Sequence, residues 1–528
     1  MSDRSRTQPD PAGAPRTSEV AIIGAGFGGI GMAIRLRQAG IDDFVLLEQA
    51  SDIGGTWRDN HYPGCACDIP ANLYSLSFAP RAAWSRRYPT QPEILDYLHD
   101  CVARFDLQPH LRLGAALQEA VFDAARGLWC LRLADGARIE ARMLVLSLGQ
   151  LHRPAIPAVE GLDRFAGPCF HSARWDHGVD LAGKRVAVIG TGASAIQFVP
   201  RIAEQAAQLD VYQRTPPWIL PKHDPAAEPL RLRALRLVPL LRRTLRAVTY
   251  WQHEARAVGF VLAPRLMQAV ERRARSHAKR QLADGDVRSA MTPEYRIGCK
   301  RILLSNDFLP ALNRPNVTLL TRPIARVTPA GVCTDDGVER PADVLILATG
   351  FRASDPLGDL RIIGRDGANL AQAWRDRLPT RLGLAMPGFP NLFLLGGPNT
   401  GLGHNSVVFM LEAQIDHILH CLRRMRSRRA TEIEVSARAA QRAEEGLRRR
   451  MARTVWMAGC RSWYLDATGH NTALWPGFSI GYWLRTRFTA ASVYRLRDAD
   501  TPRRTTDRAS DDRVSPTAHA GAVPGRRD

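Results

Sequence analysis

Two short glycine runs carry the first chemistry in the chain. Gly24, Gly26 and Gly29 follow a short apolar strand and open an amphipathic stretch; Gly190, Gly192 and Ala195 repeat the arrangement after Arg185–Ile189. Such a turn brings the backbone close to a pyrophosphate and aims it at the positive end of the next helix. Two copies imply two dinucleotides. The residue 24 positions beyond each first glycine should face the adenosine ribose, and there the copies carry opposite charge: Glu48 in one, Arg214 in the other. A carboxylate accepts from ribose hydroxyls and repels a 2′-phosphate, whereas Arg214 followed by Thr215 suits one. The first site therefore prefers FAD or NAD, and the second NADPH.

These sites require strands to hold them. Ser18–Ile23, FVLLEQ, LDVYQR, ARMLVLSLG and ADVLILATGF are short apolar runs, separated by the helical stretches MAIRLRQAG and IQFVPRIAEQA. The pattern predicts an α/β fold with two Rossmann-like dinucleotide-binding domains. Ala348-Thr349-Gly350 closes the last run with small residues, as where a chain passes near a cofactor. NLFLLGGPNTGLGHNSVVFMLEAQIDHI reads as strand, glycine-rich loop and helix. A helix start at Asn405–Ser406 would offer N–H groups to an electron-rich ring. The implied division is a tail at 1–17; an FAD domain at 18–160 plus 380–499; an NADP domain at 161–223 plus 293–379; a helical insert at 224–292; and a tail at 500–528. Both tails are rich in Pro, Ser, Thr, Arg and Asp, a composition that does not offset the entropy of ordering.

In the insert, Leu237, Leu241, Leu245 and Val248 share one helical face, with Arg242, Arg243 and Arg246 elsewhere and Pro239 marking a helix start or kink. The expectation is that this stripe packs over the active site, with Trp251 and Phe260 continuing the apolar content. The alternative is a basic amphipathic helix on a membrane surface.

The chain has 528 residues and a formal net charge of +20. The excess is arginine spread along the chain and concentrated in the insert and tails, which favours a solvated basic surface over a nucleic-acid site. No apolar run reaches membrane-spanning length and the start resembles no signal peptide, so the expected location is the cytoplasm. Nine scattered cysteines argue against a disulfide framework, and Cys65-Ala66-Cys67 is too closely spaced for zinc, so no metal is expected.

FAGPCFHSARWDHG, Phe165 to Gly178, precedes the second glycine motif and has no periodicity of helix or strand. Phe165, Gly167, His171, Trp175 and Asp176 resemble in full the FxGxxxHxxxW(P/D) signature of type I Baeyer–Villiger monooxygenases, a branch of the class B flavoprotein monooxygenases. Gly54-Gly55-Thr56-Trp57, Tyr62-Pro63-Gly64 and Asp68 are similar to the same family's pattern, and the likeness spans roughly residues 18–490. GCKRILLSNDF and GPNTGLGHNSVVFM look more like the branch near 4-hydroxyacetophenone monooxygenase than the cyclohexanone branch, a pointer to aryl or linear ketones.

The resemblance implies an NADPH- and O2-dependent enzyme that uses FAD, through a flavin C4a-peroxide, to turn a ketone into an ester or lactone. It implies that Arg301 stabilises the developing anions and that Asp68 holds Arg301. Lys300 would be directed at the NADP 2′-phosphate and Trp463 at the nicotinamide ribose, and Trp57 would be a cofactor-binding residue. His171, in the linker, would relay the NADP-bound state to the flavin. Two rivals remain. One is a flavin-containing monooxygenase oxidising nitrogen or sulfur, against which the Trp175-Asp176 ending and the Arg301–Asp68 pair argue. The other is a pyridine-nucleotide disulfide reductase, whose early cysteine pair is replaced here by Trp57 in GGTWRDN.

Overall fold

The structure, a computed structural model, describes residues 16–498 apart from 82, 229–234, 236, 284, 377, 461 and 467. The two tails assigned from composition thus lie outside the described residues, except that Arg16 and Thr17 already belong to the first strand.

Two separate sheets carry the two glycine motifs. In the first, β1 (Arg16–Ile23) leads through the turn into α1 (Phe27–Gln38) and returns as β2 (Phe44–Leu47). β1 lies between β2 and β3 (Arg138–Leu146), parallel to both, and Leu392–Leu394 adds parallel to β3. Buried apolar side chains fill both faces of β1 and β2, as a sheet covered on both sides requires. α1 is buried along nearly its whole length, and Gly31 lets it pack closely: a Cβ there would lie 3.0 Å from Ile415 Cδ1.

The second sheet repeats the pattern with β4 (Arg185–Ile189), α2 (Ala195–Ile202), β5 (Gln208–Tyr212) and β6 (Val344–Leu347). Its order is Val317–Leu320, β5, β4, β6, Cys169–His171, and every pairing is parallel. The signature segment, expected to be irregular throughout, thus supplies the edge strand of this sheet and then one 3-10 turn at Ser172–Arg174. Three residues are too few to display a period. Gly167 is required by contact, since a Cβ there would sit 2.3 Å from Asp343 O.

The return to the first sheet comes earlier than the sequence division had it. Arg361–Ile363, within the segment 293–379 assigned to the NADP domain, pairs parallel with Leu117–Asp123 of the first sheet. Its apolar residue Ile362 packs in that sheet's core with Phe122 and Trp129.

Between the halves of the second sheet lie α3 (Pro239–Ala257) and α4 (Met267–Gln281), with Pro239 in the first turn of α3. The expected packing of the apolar stripe is reversed. Leu237, Leu241 and Val248 are exposed, as is Trp251, while Leu245 is half-buried and only Phe260 enters a core. α3 is fastened by polar groups instead. Asn72 Nδ2 donates to Thr249 Oγ1 (2.9 Å), and Arg246 donates to the carbonyls of Asn72 and Ser75. Periodicity identified residues sharing a face, but the polar anchors on the other side turned that face outward.

Candidate active site

The glycine turns are built for close approach. Gly24 has φ +100°, and a Cβ there would meet Ser147 O at 2.5 Å; Gly190 has φ +112° and would meet Ala348 O at 2.5 Å. The third small residues seat the helices: a Cβ on Gly29 would strike Gly24 O, and Ala195 is fully buried. The middle glycines differ. Nothing lies within 4 Å of a Cβ on Gly192, and only Gly55 Cα, at 3.9 Å, on Gly26. Each motif thus leaves space where a pyrophosphate must lie against bare backbone.

Glu48 is buried, with its carboxylate already oriented. Oε2 accepts from Ala25 N–H (2.9 Å), and Oε1 from Ala50 N–H (3.0 Å) and Arg58 (3.0 Å). Nearby, buried Trp57 donates from Nε1 to Tyr74 OH (3.1 Å). In the second unit Arg214 is exposed and Thr215 half-buried. Lys300, 86 residues further on, is brought beside Arg214: burial, then the charge of Arg214, pushes its ammonium below the usual lysine value. Neither cation has a carboxylate partner among the described residues. Two mutually repelling cations make a site that a phosphate dianion completes. The residues present therefore fit FAD at the first motif and NADP at the second.

Arg301 grips Asp68 through two nitrogens. Nε donates to Oδ2 (2.9 Å) and Nη2 to Oδ1 (2.6 Å), and both side chains keep about a third of their surface exposed (35% and 29%). The charge of Asp68, opposed by burial, raises the already high pKa of Arg301, so the guanidinium is a permanent cation. Buried Tyr464 lies beside it, its phenol pushed up to about 12 by burial. Trp463 is 42% exposed and packs one side on Tyr464 (ring centroids 4.5 Å apart), so it is not a core residue.

Here one cysteine expectation needs correcting. Cys299, two residues before Arg301, forms a disulfide with Cys460, three before Trp463. The pair lies 161 residues apart in sequence, and only the meeting of the two loops brings it together. The other seven cysteines are free.

His171 lies at the end of the edge strand, buried, with Nδ1 accepting from Ala173 N–H (3.1 Å). Burial pushes its pKa down to about 4. The ring is therefore neutral, with Nδ1 as the acceptor and the proton on Nε2, which is buried without a hydrogen-bond partner among the described residues. Trp175 packs between Phe170 and Phe198.

The Asn405 side chain is engaged within the protein, at the helix start expected there. Its Nδ2 donates to Glu254 Oε2 (3.0 Å) and its Oδ1 accepts from Ser406 N–H, while Ser406 caps α5 (Val407–Arg428). Glu254 also accepts from Ser479 Oγ (2.6 Å) and the N–H of Ile480 (2.9 Å), at the start of α6 (Ser479–Arg487). Burial would raise its pKa, but the His404 ring 3.5 Å away and hydrogen bonds from Ser479, Ile480 and Asn405 more than offset this and hold it at about 2. This clamp, joining α3, α5 and α6, had no signal in the sequence, where Glu254 is a lone acid in an arginine-rich run.

A protein from Pseudomonas aeruginosa named Baeyer-Villiger monooxygenase is 47% identical to this chain over 93% of each. The chain belongs to the Baeyer–Villiger monooxygenases. The solved structure of oxidized steroid monooxygenase bound to NADP is 31% identical, covers 91% of this chain and all of its own, and has a TM-score of 0.81. That of OTEMO in complex with FAD and NADP is 27% identical over 92% of this chain and all of its own, with a TM-score of 0.83. This Baeyer–Villiger monooxygenase uses FAD, NADPH and O2 to convert a ketone to an ester or lactone. Residues 21–238 also match the family described as pyridine nucleotide-disulphide oxidoreductase, a span that covers both glycine motifs. The reductase chemistry does not follow. Cys65 and Cys67 are buried free thiols, and burial pushes Cys65 up to about 12 and Cys67 higher still, the reverse of a reactive redox pair. Among the described residues no group of His, Cys, Asp and Glu could hold a metal, and no helix is long and apolar enough to cross a membrane.

Proposed function

We propose that Arg301 is the catalytic cation of the ketone oxidation, with Asp68 as the residue that positions it. The observation that carries this is the two-nitrogen grip of Asp68 on Arg301, which fixes the guanidinium while the side chain keeps about a third of its surface exposed. FAD, when bound, supplies the oxygen-activating redox chemistry and takes its electrons from NADPH. The protein supplies orientation and charge. Glu48 holds the FAD ribose, and Trp57 packs at the flavin. Lys300, Arg214 and Thr215 hold the NADP 2′-phosphate, and Trp463 covers the nicotinamide ribose. Arg301 directs fixed N–H donors at the oxygen anions that develop as the carbonyl is attacked, where preorganised charge is worth most. Neutral His171 steadies the linker through Nδ1, which accepts from the Ala173 N–H. Asn405 contributes through the helix start it fixes.

Oxidation of nitrogen or sulfur needs no cation to stabilise a carbonyl adduct, so the Arg301–Asp68 pair favours the ketone reading. The stretches GCKRILLSNDF and GPNTGLGHNSVVFM support aryl or linear ketones as the substrate class.

The test pairs product analysis with NADPH consumption on FAD-loaded enzyme over a panel of aryl and linear ketones. Wild-type enzyme forms ester in step with NADPH use. In Arg301→Ala, FAD content is kept and NADPH is still oxidised, but ester formation falls about 10²–10³-fold and hydrogen peroxide appears instead. Ester yield within about threefold of wild type would remove Arg301 from the chemistry.

A further inference from the structure

The outward face of α3 is the feature that the oxidation does not use. At about 100° per residue, Leu240, Leu241, Val248 and Trp251 fall within one sector of about 100°, and they are exposed by 71%, 43%, 49% and 57%. Leu262 and Leu266, in the two turns that follow, are exposed by 66% and 58%. The opposite side is committed to the body of the protein through Arg246, Thr249 and Glu254. A helix with polar anchors inward and a continuous apolar ridge outward inverts the usual arrangement of a surface helix, and exposed apolar patches of this kind mark contact sites.

The charge around the ridge points to its partner. Residues 237–280 contain ten Lys and Arg against two acids. Glu254 is buried in the clamp described above, and Glu271 pairs with Arg275. Arg243 falls on one edge of the ridge and Arg256 on the other, and Arg243, Arg265, Arg272 and Arg273 are exposed. Long basic side chains flanking an apolar ridge with a Trp match an anionic bilayer, with the apolar residues below the headgroups and the cations at phosphate level. A second copy docking the same face would set Arg against Arg across the contact.

We propose that the α3 face seats this enzyme on an anionic phospholipid surface, as a peripheral contact that leaves the fold unchanged. Full-length, FAD-loaded enzyme is floated with vesicles of phosphatidylglycerol and phosphatidylcholine, and with phosphatidylcholine alone, near physiological salt. The expected result is co-flotation with the anionic vesicles only. Leu240→Ser/Trp251→Ser and Arg243→Glu/Arg265→Glu each lower the partition coefficient about tenfold or more, with FAD content and ester formation unchanged. Brominated phosphatidylglycerol should quench a share of the tryptophan emission that Trp251→Phe removes. The proposal is overturned if wild-type enzyme stays with the unbound fraction, or if Leu240→Ser/Trp251→Ser floats like wild type. It is equally overturned if light scattering finds a dimer that the same double variant dissociates, since the face then belongs to a second copy.

Discussion

The two nucleotide units share one plan, yet they treat the residue 24 positions beyond the first glycine in opposite ways. Glu48 is buried and fixed by two backbone N–H groups and Arg58 before any ligand arrives. Arg214, at the same offset, is exposed, and its neighbour in space is another cation, Lys300. The first arrangement is complete within the protein; the second is completed only by an anion. A preorganised carboxylate suits a cofactor that stays through many turnovers, because little ordering remains to be done on binding. A pair of repelling cations suits a cosubstrate that is exchanged, because its phosphate relieves a repulsion that returns when it leaves.

The comparison breaks first at Glu48. Glu48→Gln removes the charge facing Arg58 and the acceptor facing Ala25, at a cost of about 3 kcal/mol or more for a buried pair deprived of one partner. FAD affinity should fall about 10²–10³-fold, and the purified protein should lose its yellow colour on gel filtration. FAD content and urea midpoint equal to wild type would mean that the carboxylate holds only the turn around Arg58.

Next in size is the second unit. Arg214→Ala and Lys300→Ala should each raise KM for NADPH about tenfold or more, at roughly 1.5–3 kcal/mol per charge-assisted contact. The values for NADH should change less than about threefold. If NADH suffers equally, the two cations set the general field of the cleft and do not read the 2′-phosphate.

A smaller effect sharpens the same point. Burial and the charge of Arg214 both push Lys300 below the usual lysine range, and a bound phosphate favours its protonated form. NADP+ affinity should therefore be full at neutral pH and decline as pH rises through the lowered pKa of Lys300. In Arg214→Ala the like charge is gone, so the decline should move to higher pH although affinity is lower throughout. Titration of NADP+ binding from pH 7 to 10 reads both. A decline at unchanged pH would show that Arg214 and Lys300 act independently.

The same contrast marks how far sequence reaches. The strand, turn and helix units that carry Glu48 and Arg214 were legible because the glycine turn fixes its own geometry and the strand that follows has a nearly constant length. The inserted helices were legible as helices, with Pro239 at the start of α3, since apolar spacing reports which residues share a face. It does not report which way the face turns: that depends on Asn72, Ser75 and Glu412, which lie elsewhere in the chain and bind Arg246 and Thr249. Glu254 and the Cys299–Cys460 link were invisible for the same reason, because each acquires its meaning from a partner more than 150 residues away. The edge strand at Cys169–His171 failed differently, being too short to show a period and fixed by β6 alongside it.

His171 bears on stability and not on binding, and it belongs to the second unit alone, since it ends that sheet's edge strand. Its pKa is about 4 in the folded protein against 6.5 for an unperturbed histidine. The unfolded chain therefore takes up a proton below about pH 6.5 that the native ring refuses until about pH 4. Stability falls as pH drops through that window, by about 2 kcal/mol at pH 5 from this one residue, and is untouched above pH 7. His253 and His417, also buried and near 4, add to the loss with the same sign. Urea unfolding of His171→Gln should therefore show a smaller difference between pH 7 and pH 5 than wild type, whatever its stability at pH 7. If the difference is unchanged, the imidazole is not held neutral by burial. The edge strand of the second sheet would then end on a charged ring, and the loss of stability between pH 7 and pH 5 would fall to His253 and His417.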